Sequence, residues 1–278
     1  MTLAELLREG AARFDRREGL PDPPREARWL LARALDRPEA WLLAHAADEV
    51  PSTAAELFRG WVARRGSGEP AHYIVGSCPF WGREFLVSPA ALIPRPETEL
   101  IVECTLRLPV AADPRVVDIG TGCGCLAVTL ALEFRGASVA ATDISVPALE
   151  LARRNAHRFA APVRFAAGNL AAALRPPFDL VVANLPYLPA ADIAVLPTDI
   201  RDFEPGLALA GGEDGAELLR RLIPDLPRLL APTGFALLEM GPLQRERLHP
   251  MLAGLGLAEV ERGLDHAGIE RVLVLQRR

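Results

Sequence analysis

From residue 115 onward the chain alternates between two hydrophobic periods, and this alternation narrows the choice of fold more than any other feature. Short apolar, β-branched runs at 115–119, 138–143, 163–166, 178–183, 234–239, 258–262 and 271–275 read as strands. Between them, 126–133, 147–159, 216–230 and 243–255 carry apolar residues at helical spacing. Strands alternating with helices build a sheet with helices on both faces, so the expected class is α/β. The first 66 residues follow only the helical period. Thr2 stands as a cap ahead of Leu3, Leu6, Leu7, Ala11 and Phe14, and Pro23-Pro24 opens a helix carrying Ala27, Leu30, Leu31 and Leu35. Trp41, Leu42 and His45 line another helix, and Thr53 with Glu56 reads as a capping box for a helix that ends near Gly66. Three regions are therefore expected: a helical domain over 1–80, a strand-containing linker over 81–108 and an α/β domain over 109–278.

Composition acts mainly by exclusion. At 278 residues, 50% hydrophobic and 24% charged, the chain can bury a sizeable core. Its 31 basic and 36 acidic residues give a net charge of −5, which provides no general field for gripping a nucleic-acid backbone. Every basic residue is Arg, so Schiff-base lysine chemistry and a P-loop lysine are ruled out. Cys78, Cys104, Cys123 and Cys125 show no disulfide-framework spacing and suit a reducing compartment. Cys123 and Cys125 lack the further Cys or His that a four-ligand zinc site needs, so no metal is expected. Glu5, Arg8 and Glu9 interrupt any leader-like apolar core, and no run reaches the ~18 apolar residues of a membrane span. A soluble, cytoplasmic protein is expected.

Three motifs carry chemistry. The first strand runs into Asp118-Ile119-Gly120-Thr121-Gly122-Cys123-Gly124-Cys125, where glycines let backbone N–H groups approach a nucleotide-like ligand at a helix start. Asp143 ends the next strand, where a carboxylate can accept both hydrogen bonds of a ribose diol. These two elements alone leave NAD and S-adenosylmethionine both open. The separating feature is Asn184-Leu185-Pro186-Tyr187 after the fourth strand of the sheet. The Asn184 side-chain oxygen and the Leu185 carbonyl can accept from an amino group awaiting methylation, and Tyr187 offers a flat face to a planar amide or base. Pro186 keeps Leu185 extended, which aims that carbonyl.

In this order the motifs resemble those of class I, Rossmann-like methyltransferases that use S-adenosylmethionine on an amino group. A longer resemblance runs from about residue 66 to the C-terminus. Gly68-Glu69-Pro70-Ala71-His72-Tyr73-Ile74-Val75-Gly76, Phe80-Trp81-Gly82 and Ile93-Pro94-Arg95-Pro96-Glu97-Thr98-Glu99 are similar to the linker of the release-factor glutamine methyltransferases, the HemK/PrmC family. Phe203-Glu204-Pro205, Gly211-Gly212-Glu213-Asp214-Gly215, Glu239-Met240-Gly241 with Gln244, and Asp265 with Gly268 and Arg271 extend the match. Leu185 departs from the family's usual proline but keeps the backbone carbonyl.

The resemblance implies methylation of the side-chain amide nitrogen (N5) of the glutamine in the Gly-Gly-Gln motif of peptide chain release factors. It implies Gly120, Thr121, Gly122, Cys123, Gly124, Asp143, Asn169, Leu170 and Asn184 as cofactor-binding residues. Asn169-Leu170 stands at the adenine position, where the family often has Asp before a large or aromatic residue. Asn184, Leu185, Pro186 and Tyr187 are implied for substrate binding and catalysis. The helical domain is expected to recognise the release factor, with no direct nucleic-acid contact. Two other readings stay open: an RNA adenine-N6 dimethyltransferase, whose catalytic motif 184–187 also resembles, and a non-catalytic binding module on the same fold.

Overall fold

The computed structural model describes residues 1–14, 22–172 and 174–278. The chain forms two compact units: Met1–Gly76 together with Pro197–Phe203, and Ser77–Leu196 together with Glu204–Arg278.

The first unit contains α1 (Leu3–Phe14), α2 (Pro23–Leu35), α3 (Glu39–Ala44), α4 (Ser52–Gly66) and α5 (Ala71–Val75). Leu3, Leu6, Phe14, Leu30, Leu31 and Phe58 fill its core. Thr2 does cap α1: its hydroxyl accepts from the Glu5 N–H at 3.3 Å while the Glu5 carboxylate accepts from the Thr2 N–H at 2.9 Å. The expected Thr53–Glu56 box does not form. Helix α4 starts at Ser52 with Pro51 as its cap residue, which puts Thr53 already inside the first turn. Later in the chain, Pro197–Phe203 rejoins this unit, and the buried Arg65 donates to Asp199 Oδ2 at 3.2 Å and to the Glu69 carbonyl at 3.1 Å.

The second unit opens with a hairpin of β1 (Ser77–Phe80) and β2 (Arg83–Leu86), followed by α6 (Glu99–Arg107). Then come β3 (Arg115–Ile119), α7 (Cys125–Glu133), β4 (Ser138–Asp143), α8 (Val146–Arg158), β5 (Val163–Ala167) and β6 (Phe178–Ala183). Short helices α9 (Ala190–Ile193) and α10 (Thr198–Arg201, part of the segment that rejoins the first unit) precede α11 (Glu217–Leu222) and α12 (Leu226–Leu229). The chain ends with β7 (Leu230–Glu239), α13 (Gln244–Leu248), β8 (Leu257–Leu264) and β9 (Glu270–Arg277). The seven strands form one sheet in the order β5-β4-β3-β6-β7-β9-β8. The first five are mutually parallel and β9 runs antiparallel between β7 and β8.

Both faces of the sheet are covered, which is why its central strands read as unbroken apolar runs. Val116, Leu180 and Val182 face the core formed with α6, α7 and α8, whereas Val117, Val181 and Ala183 face the core formed with α11 and α12. The strand order reverses at β3, so a crevice opens at the C-terminal ends of β3, β4 and β6, the usual ligand position in such sheets. The expected helices 216–230 and 243–255 are each shortened. A 3-10 turn, Ile223–Asp225, separates α11 from α12, and α13 passes into a 3-10 turn at His249–Leu252. Pro224, Pro227 and Pro250 supply no backbone N–H to continue an α-helical ladder.

Candidate active site

The glycine turn is held from below by Asp118. Its Oδ2 accepts from the Thr121 hydroxyl at 2.6 Å and from the Ala127 N–H at 3.2 Å, tying β3 to the first turn of α7. Burial pushes this carboxyl up to about 7, against the pull of those two donors. The Gly120 and Thr121 N–H groups donate to the Thr142 carbonyl at 2.8 and 2.9 Å, fixing the turn to the end of β4. Two glycines are required by a left-handed backbone and by a close approach, each to a different neighbour. Gly120 has φ +77°, and a Cβ there would lie 2.8 Å from Leu185 Cδ2. Gly124 has φ +84°, and its Cβ would lie 2.9 Å from Ala152 Cβ and 3.2 Å from Ala152 Cα in α8.

Asp143 closes the next side of the crevice. Its Oδ2 accepts from the Gly122 N–H and its Oδ1 from the Ser145 N–H, both at 2.8 Å. Each oxygen therefore has a fixed direction and a remaining lone pair for a ligand hydroxyl.

A cavity of about 250 Å³ occupies this crevice, and Gly120, Gly122, Asp143, Asn169, Leu170, Asn184, Leu185 and Pro186 all line it. Thr121 and Cys123 are buried beneath the turn, and Gly124 serves as the left-handed cap of α7. Asn169 is exposed, and its Oδ1, the expected adenine acceptor, already accepts from Arg221 Nη2 at 3.3 Å. Leu170 adopts φ +51° and packs on the core beside α11. Sequence reasoning passed over Ala91, Leu207 and Arg221, which also line it. A surface-type Arg on a helix and two ordinary apolar residues give no local signal of that role.

Asn184 follows β6, whose Ala183 pairs with Ile119 of β3 and Leu238 of β7. Its Nδ2 donates to Thr98 Oγ1 at 2.8 Å, leaving Oδ1 as the acceptor of this cavity-lining side chain. Leu185 is 4% exposed and packs over Gly120, so the leucine in place of the family's proline fills a matched space. Tyr187 lies outside the cavity lining, with its ring beside Gly241 and its carbonyl accepting from Gln244 Nε2 at 2.8 Å. Gln244 Oε1 in turn accepts from the Gly241 N–H at 3.0 Å. Burial pushes the Tyr187 phenol above its ordinary range. On the other side, the buried Glu204 carboxylate pairs with Arg95 and accepts from the Ile93 N–H at 3.4 Å, clasping the linker to the loop that carries Pro205 and Leu207. Thr98, Glu204 and Glu239 were visible in the sequence only as parts of longer motifs. The one signal for Glu239 was an acidic residue directly after the apolar run Phe235–Leu238.

These residues fit S-adenosylmethionine. The turn leaves space where side chains would intrude, and Asp143 has two oriented acceptor oxygens, the set that a ribose diol requires. Two family models match the chain, the PrmC N-terminal domain over residues 5–76 and the methyltransferase small domain over residues 97–196. A release factor glutamine methyltransferase of Bordetella pertussis is 43% identical over 91% of this chain and 96% of its own length. One of Moorella thermoacetica is 39% identical over 100% of this chain and 99% of its own length. Among solved structures, a ribosomal protein L11 methylase of Lactobacillus delbrueckii subsp. bulgaricus superimposes with a TM-score of 0.53 at 26% identity, over 72% of this chain and 90% of that one. A methyltransferase of Pyrococcus furiosus, at 20% identity and the same TM-score of 0.53, shares the fold over 71% of this chain and 90% of its own. With a crevice shaped for S-adenosylmethionine and near-complete alignment to such relatives, the chain belongs to the release factor glutamine methyltransferase family of S-adenosylmethionine-dependent enzymes.

Proposed function

We propose that this enzyme methylates the N5 amide nitrogen of the glutamine in the Gly-Gly-Gln motif of peptide chain release factors. The observation that carries the reading is the Asn184 amide, whose nitrogen is held by Thr98 so that its oxygen is the acceptor at the cavity. Bound S-adenosylmethionine supplies an electrophilic methyl carbon on a sulfonium. An amide nitrogen is a weak nucleophile because its lone pair is delocalised, so the protein's contribution is alignment and orientation of that lone pair. Asn184 Oδ1 and the Leu185 carbonyl accept the two N–H bonds of the glutamine amide, which turns the nitrogen lone pair toward the methyl carbon. Pro186, in the cavity lining, flanks the amide plane, while Tyr187, whose ring lies beside Gly241, backs this segment from outside the cavity. The product nitrogen keeps one of its two protons and releases the other.

The helical unit, matched by the PrmC N-terminal model, supplies the surface for recognising the release factor, since a single glutamine side chain offers too little area for protein-level selectivity. Among the described residues no helix is long and apolar enough to cross a membrane, and the four cysteines are free thiols. Free thiols fit action in a reducing cytoplasm. RNA adenine methylation is not favoured, because the relatives that align along the whole chain carry the glutamine methyltransferase name and a net charge of −5 offers little to an RNA backbone.

The test is transfer of a tritiated methyl group to a release factor and to the same factor with the motif glutamine replaced. Label should enter only the first. Asn184→Ala should lower kcat by about 100-fold while cofactor affinity changes far less. An Asn184→Ala enzyme that folds and keeps near-full turnover would remove the mechanism.

A further inference from the structure

Behind the Asn184–Tyr187 segment lies a buried polar group that the proposed reaction does not touch. Glu239 ends β7, opposite Val272 of β9, and is 0% exposed. Neither of its oxygens completes a hydrogen bond of regular geometry, although the Thr98 and Tyr187 hydroxyls lie within its reach as donors. Glu97 and Arg271 act on it more distantly, and Arg271 is itself engaged by Asp265 at 2.8 Å. The preceding β7 residues, Phe235 to Leu238, are all apolar, so packing alone would be served by another aliphatic side chain here. A carboxylate is costly to bury, and its one distinctive property in this position is that it only accepts hydrogen bonds.

That property reaches the site through Thr98, a fully enclosed hydroxyl with one proton. If the proton goes to Glu239, only lone pairs of Thr98 Oγ1 face Asn184, and these can meet only its NH₂ end. Without an acceptor at 239 the Thr98 proton is free to turn to Asn184, which then gains by flipping its amide. A flipped Asn184 would aim N–H donors at the substrate nitrogen, the wrong polarity for methylation. We propose that Glu239 is a positioning residue: by taking the Thr98 hydroxyl proton it fixes the amide orientation of Asn184 and thereby the acceptor shown to the substrate nitrogen. The inference rests on the glutamine-methylating reading above.

Four variants test it, with kcat measured at saturating cofactor and release factor. Glu239→Gln puts a donor among the acceptors, and Thr98→Val keeps shape but removes the hydroxyl. Each should lower kcat about 10- to 100-fold, with cofactor Kd and release-factor KM within about threefold of wild type. Thr98→Ser, which restores the hydroxyl, should recover kcat to within about threefold. The double variant Thr98→Val/Glu239→Gln should be little worse than the poorer single, because both act through Asn184. Burial pushes the Glu239 carboxyl up to about 7, so wild-type kcat should fall as pH drops below that value, and Glu239→Gln should lose this limb.

A wild type that labels the glutamine while Glu239→Gln keeps full kcat and an unchanged pH profile overturns the positioning role alone. Losses that multiply in the double variant overturn it too. If Glu239→Gln does not fold, the valine and serine variants decide: full kcat in Thr98→Val is refuting. A wild type that leaves the glutamine unlabelled overturns the functional reading as well.

Discussion

Replacing Gly120 by Ala should destabilise the fold at the cofactor crevice through two separable effects. The backbone there has φ +77°, a left-handed conformation that costs an L-residue about 1–2 kcal/mol. The added methyl would also lie 2.8 Å from Leu185 Cδ2, and Leu185 is too buried to swing aside freely. Overpacking of that kind costs about 1–3 kcal/mol. The sum predicts a folded state destabilised by about 2–5 kcal/mol, since the strain is present with and without cofactor and is therefore a cost of folding. Leu185→Ala separates the two effects, because it removes the colliding methyl and leaves the dihedral unchanged. On that background Gly120→Ala should cost about 1–3 kcal/mol less than it does in the wild type. Urea denaturation of the four proteins of this cycle reads the coupling directly. A coupling within about 0.5 kcal/mol of zero would refute the packing argument. Wild-type stability in Gly120→Ala would refute the dihedral argument.

Asp143→Ala removes the acceptor of two backbone N–H groups as well as the expected diol acceptor, each charge-assisted bond being worth about 1.5–3 kcal/mol. Cofactor affinity should fall at least tenfold and the thermal midpoint should drop with it; calorimetry showing unchanged affinity would exclude the assignment. Asp118 releases its proton near 3.8 in the unfolded chain but only at about 7 when folded, so its contribution to stability is fullest below pH 3.8 and is lost as pH rises to about 7. Across that window it should remove about 1.4 kcal/mol per pH unit, and Asp118→Asn should show a correspondingly shallower decline in urea denaturation from pH 4 to 7. An identical slope in the two proteins would mean that Asp118 is not the group responsible.

The parallel sheet was legible because its strands are covered on both faces and so appear as unbroken runs such as Leu180–Ala183. The helix breaks at Pro224, Pro227 and Pro250 were equally present in the sequence, but the apolar spacing around them outweighed the prolines. Gly120, Gly122, Asp143 and Asn184 announce themselves by residue type and by position after a strand, and the structure brings all four to one cavity. Thr98 does not. It stands 86 residues from the Asn184 amide that it holds, and periodicity carries no information about pairs so far apart. The same holds for Glu204, whose partner Arg95 is 109 residues away, and for Arg221 on Asn169. Local chemistry marks the residues that meet a ligand, whereas the residues that hold them in place are defined only once the chain has closed on itself.

The return of Pro197–Phe203 to the helical unit makes the two parts of this chain inseparable in the genetic sense. A recombination point at residue 76 looks clean on a linear map, yet it parts Arg65 from Asp199, which then has no guanidinium to meet. Exchanging the first 76 residues between relatives therefore keeps this pair matched only when the short inserted helix Thr198–Arg201 is exchanged in step. Two stretches more than a hundred residues apart must drift together, and a chimaera that respects only the apparent boundary inherits a mismatched half of an ion pair.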